Sequence, residues 1–243
     1  MRQSLLLAGK AMDVAQQRMG LITNNLANID TPGYKKEIAY TDSFQDIMAS
    51  TINGLQSPEI PKDVVEVTDY SSGNYKFTGD QMNVAIEGDG FLKVQTPNGQ
   101  DAYTRKGLLS LNASKQLTIG NNLVMGPNGP VTLLDTNISI DSKGTIYNTK
   151  GDTVGMISVV AFEKPYPLEK AGGTLFIANE NAKEIPSTAD VKQQYLEESN
   201  VSALSSMVEM INMMEVMRQY ETQQKMVQYQ DDATAKMIQQ VAG

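Results

Sequence analysis

The chain has 243 residues, of which 40% are hydrophobic, and its formal net charge is −8. That length allows one or two domains with a real core. The acidic balance argues against nucleic-acid binding, because no basic surplus is present to neutralise phosphates. The chain contains no cysteine and no histidine. Disulfides, zinc sites and a Ser-His-Asp triad are therefore excluded, and we expect no catalytic residues, metal site or cofactor.

The N-terminal stretch "MRQSLLLAGKAMDVAQQR" does not resemble a cleaved signal peptide. Its apolar run covers only Leu5 to Ala8, and Lys10 and Asp13 follow at once. No stretch approaches the ~20 apolar residues that a membrane-spanning helix needs. We expect no membrane insertion, and either a cytosolic location or export without a cleaved signal.

Apolar residues of the first segment repeat at alternating spacings of three and four, which predicts a helix with a coiled-coil seam. The seam consists of Leu5, Ala8, Met12, Ala15, Met19, Ile22 and Leu26. The helix is expected to end near Ile29, because Pro32 disfavours the α conformation at the residue before it. Thr31-Pro32-Gly33-Tyr34 then fits a type II turn, with proline second and glycine third.

Residues 36–80 predict a partly extended connector. The stretch 42–55 is weakly periodic and fits one short helix, and Pro58 and Pro61 come after it. The alternating "VVEVTDYSSGNYKF" that follows is typical of extended chain.

Residues 81–196 predict an antiparallel β domain, a small barrel or a sandwich. Strand-like stretches are separated by turn signals every eight to twelve residues. Tight turns are expected at Gly88-Asp89-Gly90, Asn98-Gly99, Lys143-Gly144 and Lys150-Gly151. The charged residues Asp101, Arg105 and Lys106 are expected to be solvated.

The last segment, from about Glu197 to Val241, predicts a long helix with its N-cap at Ser199 or Asn200. Its three-four seam includes Met210, Met213, Met217 and Tyr220. Beside that seam lies a second apolar stripe of Met207, Ile211 and Met214.

Together these elements predict an α+β fold. The N- and C-terminal helices (residues 1–35 and 197–243) would pair in a coiled coil, with the antiparallel β domain inserted between them. The second stripe of the C-terminal helix would stay exposed unless neighbouring copies cover it. That uncovered stripe indicates polymerisation.

Three motifs carry a resemblance to a known family. They are "NLANIDTPGYK" at 25–35, "AIEGDGFLKV" at 85–94 with "AYTRKG" at 102–107, and "YLEESNVSALSSMVEMI" at 195–211. In this order they resemble the flagellar basal-body rod proteins, members of the axial family that includes rod, hook and hook-filament junction subunits. The motifs span the chain from end to end.

The resemblance implies a mechanical function outside the inner membrane, in the basal body. Subunits of this family are exported unfolded through the flagellar type III apparatus without a cleaved signal peptide. They polymerise with copies of themselves and with other rod and hook axial proteins into a helical tube. Terminal helices form its inner layer, and the rod transmits motor torque across the envelope.

Two stretches bear on the position within the rod. They are "GNNLVMGPNGPV" at 120–131 and "RQYETQQKMVQYQDDATAKMI" at 218–238. Both resemble the subunits of the proximal rod more than those of the distal rod. We therefore expect a proximal rod subunit. The alternative is a distal rod or hook-type axial subunit.

The expected assembly interface lies on both terminal helices. Asn25 and Asn28 match the family motif, and their amides can donate and accept hydrogen bonds at a helix end or across to another chain. A local helix cap is the alternative for these asparagines, and helix propensity alone is the alternative for Ala27. The interface set is Leu5, Met12, Met19, Ile22, Asn25, Leu26, Ala27, Asn28, Met210, Met213, Met217 and Tyr220.

Two other classes of function are alternatives to a rod subunit. A peptidoglycan-cleaving enzyme needs two carboxylates, and Glu87 and Asp89 flank a turn. No acid stands in an evident apolar pocket, so this interpretation is the weaker one. A monomeric adhesin-like β domain on a helical stalk is the third, and concentration-dependent assembly through the termini would separate it from a rod subunit.

Overall fold

The structure, a computed structural model, describes residues 2–40, 65–180 and 182–242. Within them it has two helices, α1 (Arg2–Ala27) and α2 (Ala203–Ala242). The strands are β1 (Glu37–Tyr40), β2 (Val65–Thr68), β3 (Tyr75–Phe77), β4 (Val84–Glu87), β5 (Phe91–Gln95), β6 (Asp101–Thr104), β7 (Ser110–Leu111), β8 (Leu117–Ile119), β9 (Asn122–Gly126), β10 (Gly129–Pro130), β11 (Ser139–Ile140), β12 (Thr145–Tyr147), β13 (Thr153–Met156), β14 (Val159–Ala161), β15 (Leu168–Gly172), β16 (Leu175–Ala178), β17 (Ile185–Pro186), β18 (Asp190–Gln193) and β19 (Tyr195–Glu197).

The predicted fold class, α+β with a coiled coil of the terminal helices, is wrong. The described chain is mostly β-structure, and its two helices do not form a coiled coil. A coiled coil buries the seam residues of both helices, but Met210 and Met217 of the predicted seam are 39% and 44% exposed. Among the described side chains of α2, the buried ones are Ser206 and Val216, which both lie outside that seam. Three-four spacing occurs on more than one face of a long methionine-rich helix, so spacing alone does not identify the face that is buried.

The chain divides into two compact units. Among the described residues, unit 1 comprises α1, β1, β2 and α2, and unit 2 comprises Asn28–Lys36 with Tyr70–Val201. The domain boundaries drawn from the sequence (1–35 with 197–243, 36–80 and 81–196) stay a prediction.

In unit 1, α1 packs against α2 and against β1. Among the described side chains of α1, the buried apolar residues Ala15, Leu21 and Ile22 lie on one face, as the three-four spacing predicts for two of them. Strands β1 and β2 form an antiparallel pair, with Glu37 opposite Thr68. The short helix predicted over residues 42–55 lies outside the described residues.

The largest sheet of unit 2 has ten strands, all paired antiparallel. Its main path runs β15-β16-β6-β5-β9-β8-β7, and β10, β14 and β17 pair beside that path. Apolar side chains of β5, β8, β9 and β12 meet in one buried core, which includes Leu92, Leu117, Val124 and Ile146. Burial of such side chains is the main stabilising contribution to this unit.

Three of the four predicted turns join strands that pair with each other. The Asn98-Gly99, Lys143-Gly144 and Lys150-Gly151 turns connect β5 to β6, β11 to β12 and β12 to β13. The glycines at these turns have φ of +82°, +80° and +86°, a conformation that other residues rarely adopt. The chain bends at Gly88-Asp89, but the tight turn expected there does not form a hairpin, because β4 pairs with β18 whereas β5 pairs with β6, β9 and β14.

The C-terminal helix begins later than predicted. Residues 195–197 form β19, which pairs with β3, so they are not free to be helical. The N-cap is Ser202, whose hydroxyl oxygen accepts from the main-chain N of Ser205 at 3.0 Å. In the part of the chain that is described, no helix is both long and apolar enough to cross a membrane.

Candidate assembly interface

An apolar surface follows the first three turns of α2. Five large side chains on it are between 49% and 76% exposed: Leu204, Met207, Val208, Ile211 and Met214. We call this set the apolar stripe. Successive helical residues rotate by about 100°, which puts the stripe on the side of α2 opposite Val216. Within the described residues, no side chain covers the stripe enough to bury it.

The residues predicted for assembly divide by exposure. Ile22 and Asn25 are buried, whereas Ala27, Met210 and Met217 are exposed. The structure leaves the others half-buried: Met12, Met19, Leu26, Asn28, Met213 and Tyr220. The side chain of Leu5 lies outside the described part. The structure therefore places the predicted residues on both sides of the helices and does not gather them into one face.

Asn25 shows why a polar side chain is needed near the end of α1. Its Nδ2 donates to the main-chain O of Glu37 at 2.8 Å, and its Oδ1 accepts from the main-chain N of Glu37 at 3.0 Å. The side chain is 3% exposed. The amide thus pairs with the start of β1 as a neighbouring strand would, and only an amide offers a donor and an acceptor at that spacing.

Asn28 closes the turn that follows. Its Oδ1 accepts from the Thr31 hydroxyl at 3.1 Å, and its main-chain O accepts from Thr31 N at 3.2 Å. The predicted type II turn is confirmed: Tyr34 N donates to Thr31 O at 3.2 Å, and Gly33 has φ of +71°.

The three signature motifs meet at one buried cluster inside unit 2. Lys35 Nζ lies 2.5 Å from Glu197 Oε1, and Arg105 Nη1 lies 3.3 Å from Glu197 Oε2. Lys35 and Glu197 are fully buried, and Arg105 is 3% exposed. We call Lys35, Arg105 and Glu197 the Glu197 junction. The expectation that Arg105 is solvated is wrong.

Main-chain groups add further hydrogen bonds to the Glu197 junction, although the buried Nε of Arg105 has no hydrogen-bond partner among the described residues. Lys35 Nζ donates to Ser71 O at 2.6 Å, and Arg105 Nη2 donates to Gly88 O at 2.7 Å. The guanidinium also lies over the Phe91 ring, 5.2 Å from its centroid. Buried charges require partners of this kind, because removing them from water is costly.

Gly33 lets two of the motifs approach closely. A Cβ built on it would lie 2.4 Å from the main-chain N of Lys106. Gly33 N also donates to the main-chain O of Glu197 at 2.8 Å. The glycine is therefore required by its positive φ and by the neighbouring chain at once.

Asn200 lies beside the Glu197 junction and ties two further segments together. Its Oδ1 accepts from Lys36 N at 2.8 Å, and its Nδ2 donates to Ser71 O at 3.3 Å. From β15, Lys170 Nζ donates to Lys35 O at 3.1 Å and lies 4.1 Å from the centroid of the Tyr34 ring.

The two carboxylates considered for catalysis are engaged elsewhere. Glu87 Oε2 lies 2.7 Å from Lys192 Nζ, and Asp89 accepts from Lys164 Nζ at 2.8 Å and from the Tyr166 hydroxyl at 3.1 Å. The hydrogen bond from Lys164, with a smaller contribution from Tyr166, lowers the pKa of Asp89 despite partial burial. A glycosidase needs a general acid with a raised pKa, so Asp89 has the wrong shift for that role.

Family models match three segments of the chain in order. The model described as flagella basal body rod protein matches residues 5–35, the flagellar hook protein FlgE/F/G D1 domain matches 85–148, and the flagellar basal body rod FlgEFG protein C-terminal matches 192–240. These segments contain the residues of the Glu197 junction.

Similarity to named proteins extends over nearly the whole chain. The flagellar basal-body rod protein FlgG of Buchnera aphidicola (subspecies Acyrthosiphon pisum) is 29% identical, covering 97% of this chain and 98% of the relative. The FlgG of Borreliella burgdorferi is 29% identical over 96% of each. The FlgF rod protein of Buchnera aphidicola (subspecies Schizaphis graminum) is 26% identical over 89% of each.

The ordered matches to rod-protein models and to named rod proteins define a structural protein rather than an enzyme. The chain is a flagellar basal-body rod protein, and it is similar to the FlgG rod proteins over nearly its whole length.

The sequence identified the three motifs but did not predict that they contact one another in the fold. One feature could have indicated the contact, because the motifs carry charges of opposite sign: Lys35 and Arg105 in the first two and Glu197 in the third. Charged residues inside signature motifs are candidates for buried ion pairs as well as for surface contacts.

Proposed function

We propose that this rod subunit polymerises through the apolar stripe of α2, with copies of itself and with other rod and hook axial proteins. The flagellar type III apparatus exports the chain, and assembly takes place outside the inner membrane. The polymer transmits motor torque across the envelope.

The observation that carries this proposal is the exposure of the apolar stripe. Large side chains left open on one helix face are typical of protein-protein contact sites. The same face becomes polar beyond Met214: Arg218, Thr222 and Lys225 follow at helical spacing. The stripe is thus a bounded patch rather than a general property of α2.

We propose a division among the residues predicted for assembly. Ala27, Met210 and Met217, which are exposed, contact neighbouring subunits along with the stripe. Ile22 and Asn25, which are buried, support assembly indirectly by holding unit 1 together. A charge at Ile22 would consequently disturb the subunit itself and is a poor test of the interface.

More specifically, the subunit belongs to the proximal part of the rod. A position in the distal rod or a hook-type position is the alternative. The sequence stretches at 120–131 and 218–238 support the proximal position. The names of the relatives, FlgG and FlgF, state no position. A reconstruction of purified basal bodies that locates this chain along the axis decides between them.

Charge placed in the stripe tests the assembly surface. Ile211→Lys puts an ammonium group where a neighbour would pack, at a cost of several kcal/mol in the interface. Export and the thermal melting of the subunit should be unchanged, because the side chain is already exposed. Incorporation into basal bodies and swimming should be lost.

Thr222→Lys is the matched control. It lies eleven residues further on, about three helical turns, and so adds the same charge to the same face of α2. This variant should assemble and swim like the wild type. Normal incorporation of Ile211→Lys would rule out the stripe as the assembly surface.

A further inference from the structure

The Glu197 junction lies inside unit 2, near three of the four points at which the chain enters or leaves that unit. The chain leaves unit 2 after Lys36, returns to it at Tyr70 and leaves again after Val201. Lys35, Ser71 and Asn200 each lie one residue from such a crossing point. One set of hydrogen bonds therefore joins the chain segments at these three crossing points inside unit 2.

Glu197 accepts a second set of hydrogen bonds close to the first. Its Oε1 accepts from Lys35 Nζ at 2.5 Å and from Gly73 N at 3.2 Å. Its Oε2 accepts from Arg105 Nη1 at 3.3 Å, and its main-chain O accepts from Gly33 N at 2.8 Å. One residue thus takes four donors from three separate parts of the chain.

Glu197 lies near the C-terminal end of the sequence of unit 2. The last strands pair with early ones: β18 with β4, and β19 with β3. Glu197 is the final residue of β19 and lies 162 positions after Lys35. The early segments therefore reach their final contacts only when the last strand of the unit is in place.

We propose that Glu197 is a latch that closes unit 2. Its carboxylate joins residues 28–36, 71–75 and 195–200 into one cooperative unit, so that the three crossing points open together or not at all. Assembly plays no part in this inference, which concerns the subunit alone.

Glutamine cannot replace the latch. An ionised carboxylate offers two acceptor oxygens, whereas an amide offers one oxygen and an NH₂ group that only donates. In Glu197→Gln the NH₂ group would face either Arg105 or the Lys35 and Gly73 donors. A donor would then oppose a donor in a buried site, and two charge-assisted hydrogen bonds would be reduced to one.

Hydrogen exchange on the purified monomer tests the latch in the wild-type chain. The amides of Gly33, Lys36 and Gly73 should show one common opening free energy and one common denaturant dependence, because all three depend on the same cluster. Separate denaturant dependences for these amides would overturn the inference.

Glu197→Gln and Glu198→Gln form a matched pair, since they make the same chemical change at adjacent positions and Glu198 is exposed. In Glu197→Gln the amides of Gly33 and Gly73 should exchange about a hundredfold faster than in the wild type. In Glu198→Gln they should stay within about twofold. Loss of the fold in Glu197→Gln alone would support the latch, and equal exchange in the two variants would overturn it.

Discussion

Asn25 and Glu37 are joined by two hydrogen bonds of opposite direction, one from Asn25 Nδ2 to Glu37 O at 2.8 Å and one from Glu37 N to Asn25 Oδ1 at 3.0 Å. The pair joins the last turns of α1 to the first residue of β1. The amide that the family motif places at this position is thus used inside unit 1.

Asn25→Asp should destabilise unit 1 by about 1–3 kcal/mol, because a carboxylate cannot donate to Glu37 O and would itself be buried. Chemical denaturation of the monomer measures the change. Gln17→Glu makes the same change from amide to acid at an exposed position of α1 and should cost less than about 0.5 kcal/mol. Equal effects of the two substitutions would contradict this role of Asn25.

Gly33→Ala and Gly20→Ala should change stability in opposite directions. At Gly33 a Cβ would meet the main chain of Lys106 in a conformation with φ of +71°, so the monomer should be strongly destabilised. At Gly20, within α1, a Cβ meets nothing within 4 Å, and alanine should stabilise the helix by about 0.5–1 kcal/mol. Thermal melting of the two variants checks the signs, and a harmless Gly33→Ala would disprove the close approach.

Ser202→Ala should weaken the start of α2. Loss of the hydroxyl that accepts from Ser205 N removes an N-cap, typically at a cost of about 1 kcal/mol. Faster exchange of the Ser205 amide is the expected readout. Ser202→Asp keeps an acceptor at the cap and should retain the protection; if it does not, the capping role is wrong.

Acid should remove a stabilising contribution of Asp89. Its pKa in the folded chain lies below the usual 3.8, chiefly through the hydrogen bond from Lys164. A depressed folded pKa stabilises the fold above the unfolded pKa, and this contribution disappears as pH falls through the folded value. The difference in melting temperature between wild type and Asp89→Asn should therefore be largest above about pH 5 and shrink toward pH 3.

The Lys164→Met background supplies the control for that titration. Without the ammonium group, the pH-dependent difference that Asp89→Asn produces in melting temperature should become smaller, with the Tyr166 hydroxyl still donating to Asp89. An unchanged difference would mean that Lys164 is not the main cause.

The sequence by itself determined the local elements of this rod protein. Three-four spacing predicted a helix at each end, and the Thr31-Pro32-Gly33-Tyr34 stretch predicted its turn type. Asn-Gly and Lys-Gly pairs located three hairpins. These features depend on backbone preferences of neighbouring residues, which are encoded within a few positions of one another.

Only the tertiary structure decided which partners these elements meet. The buried face of α2 includes Val216 rather than the predicted seam, β4 pairs with β18 rather than β5, and Arg105 is buried rather than solvated. Burial depends on the surface that packs against a residue, and pairing between distant strands has no local signal. Lys35 and Glu197 meet across 162 positions because the fold brings the two ends of unit 2 together.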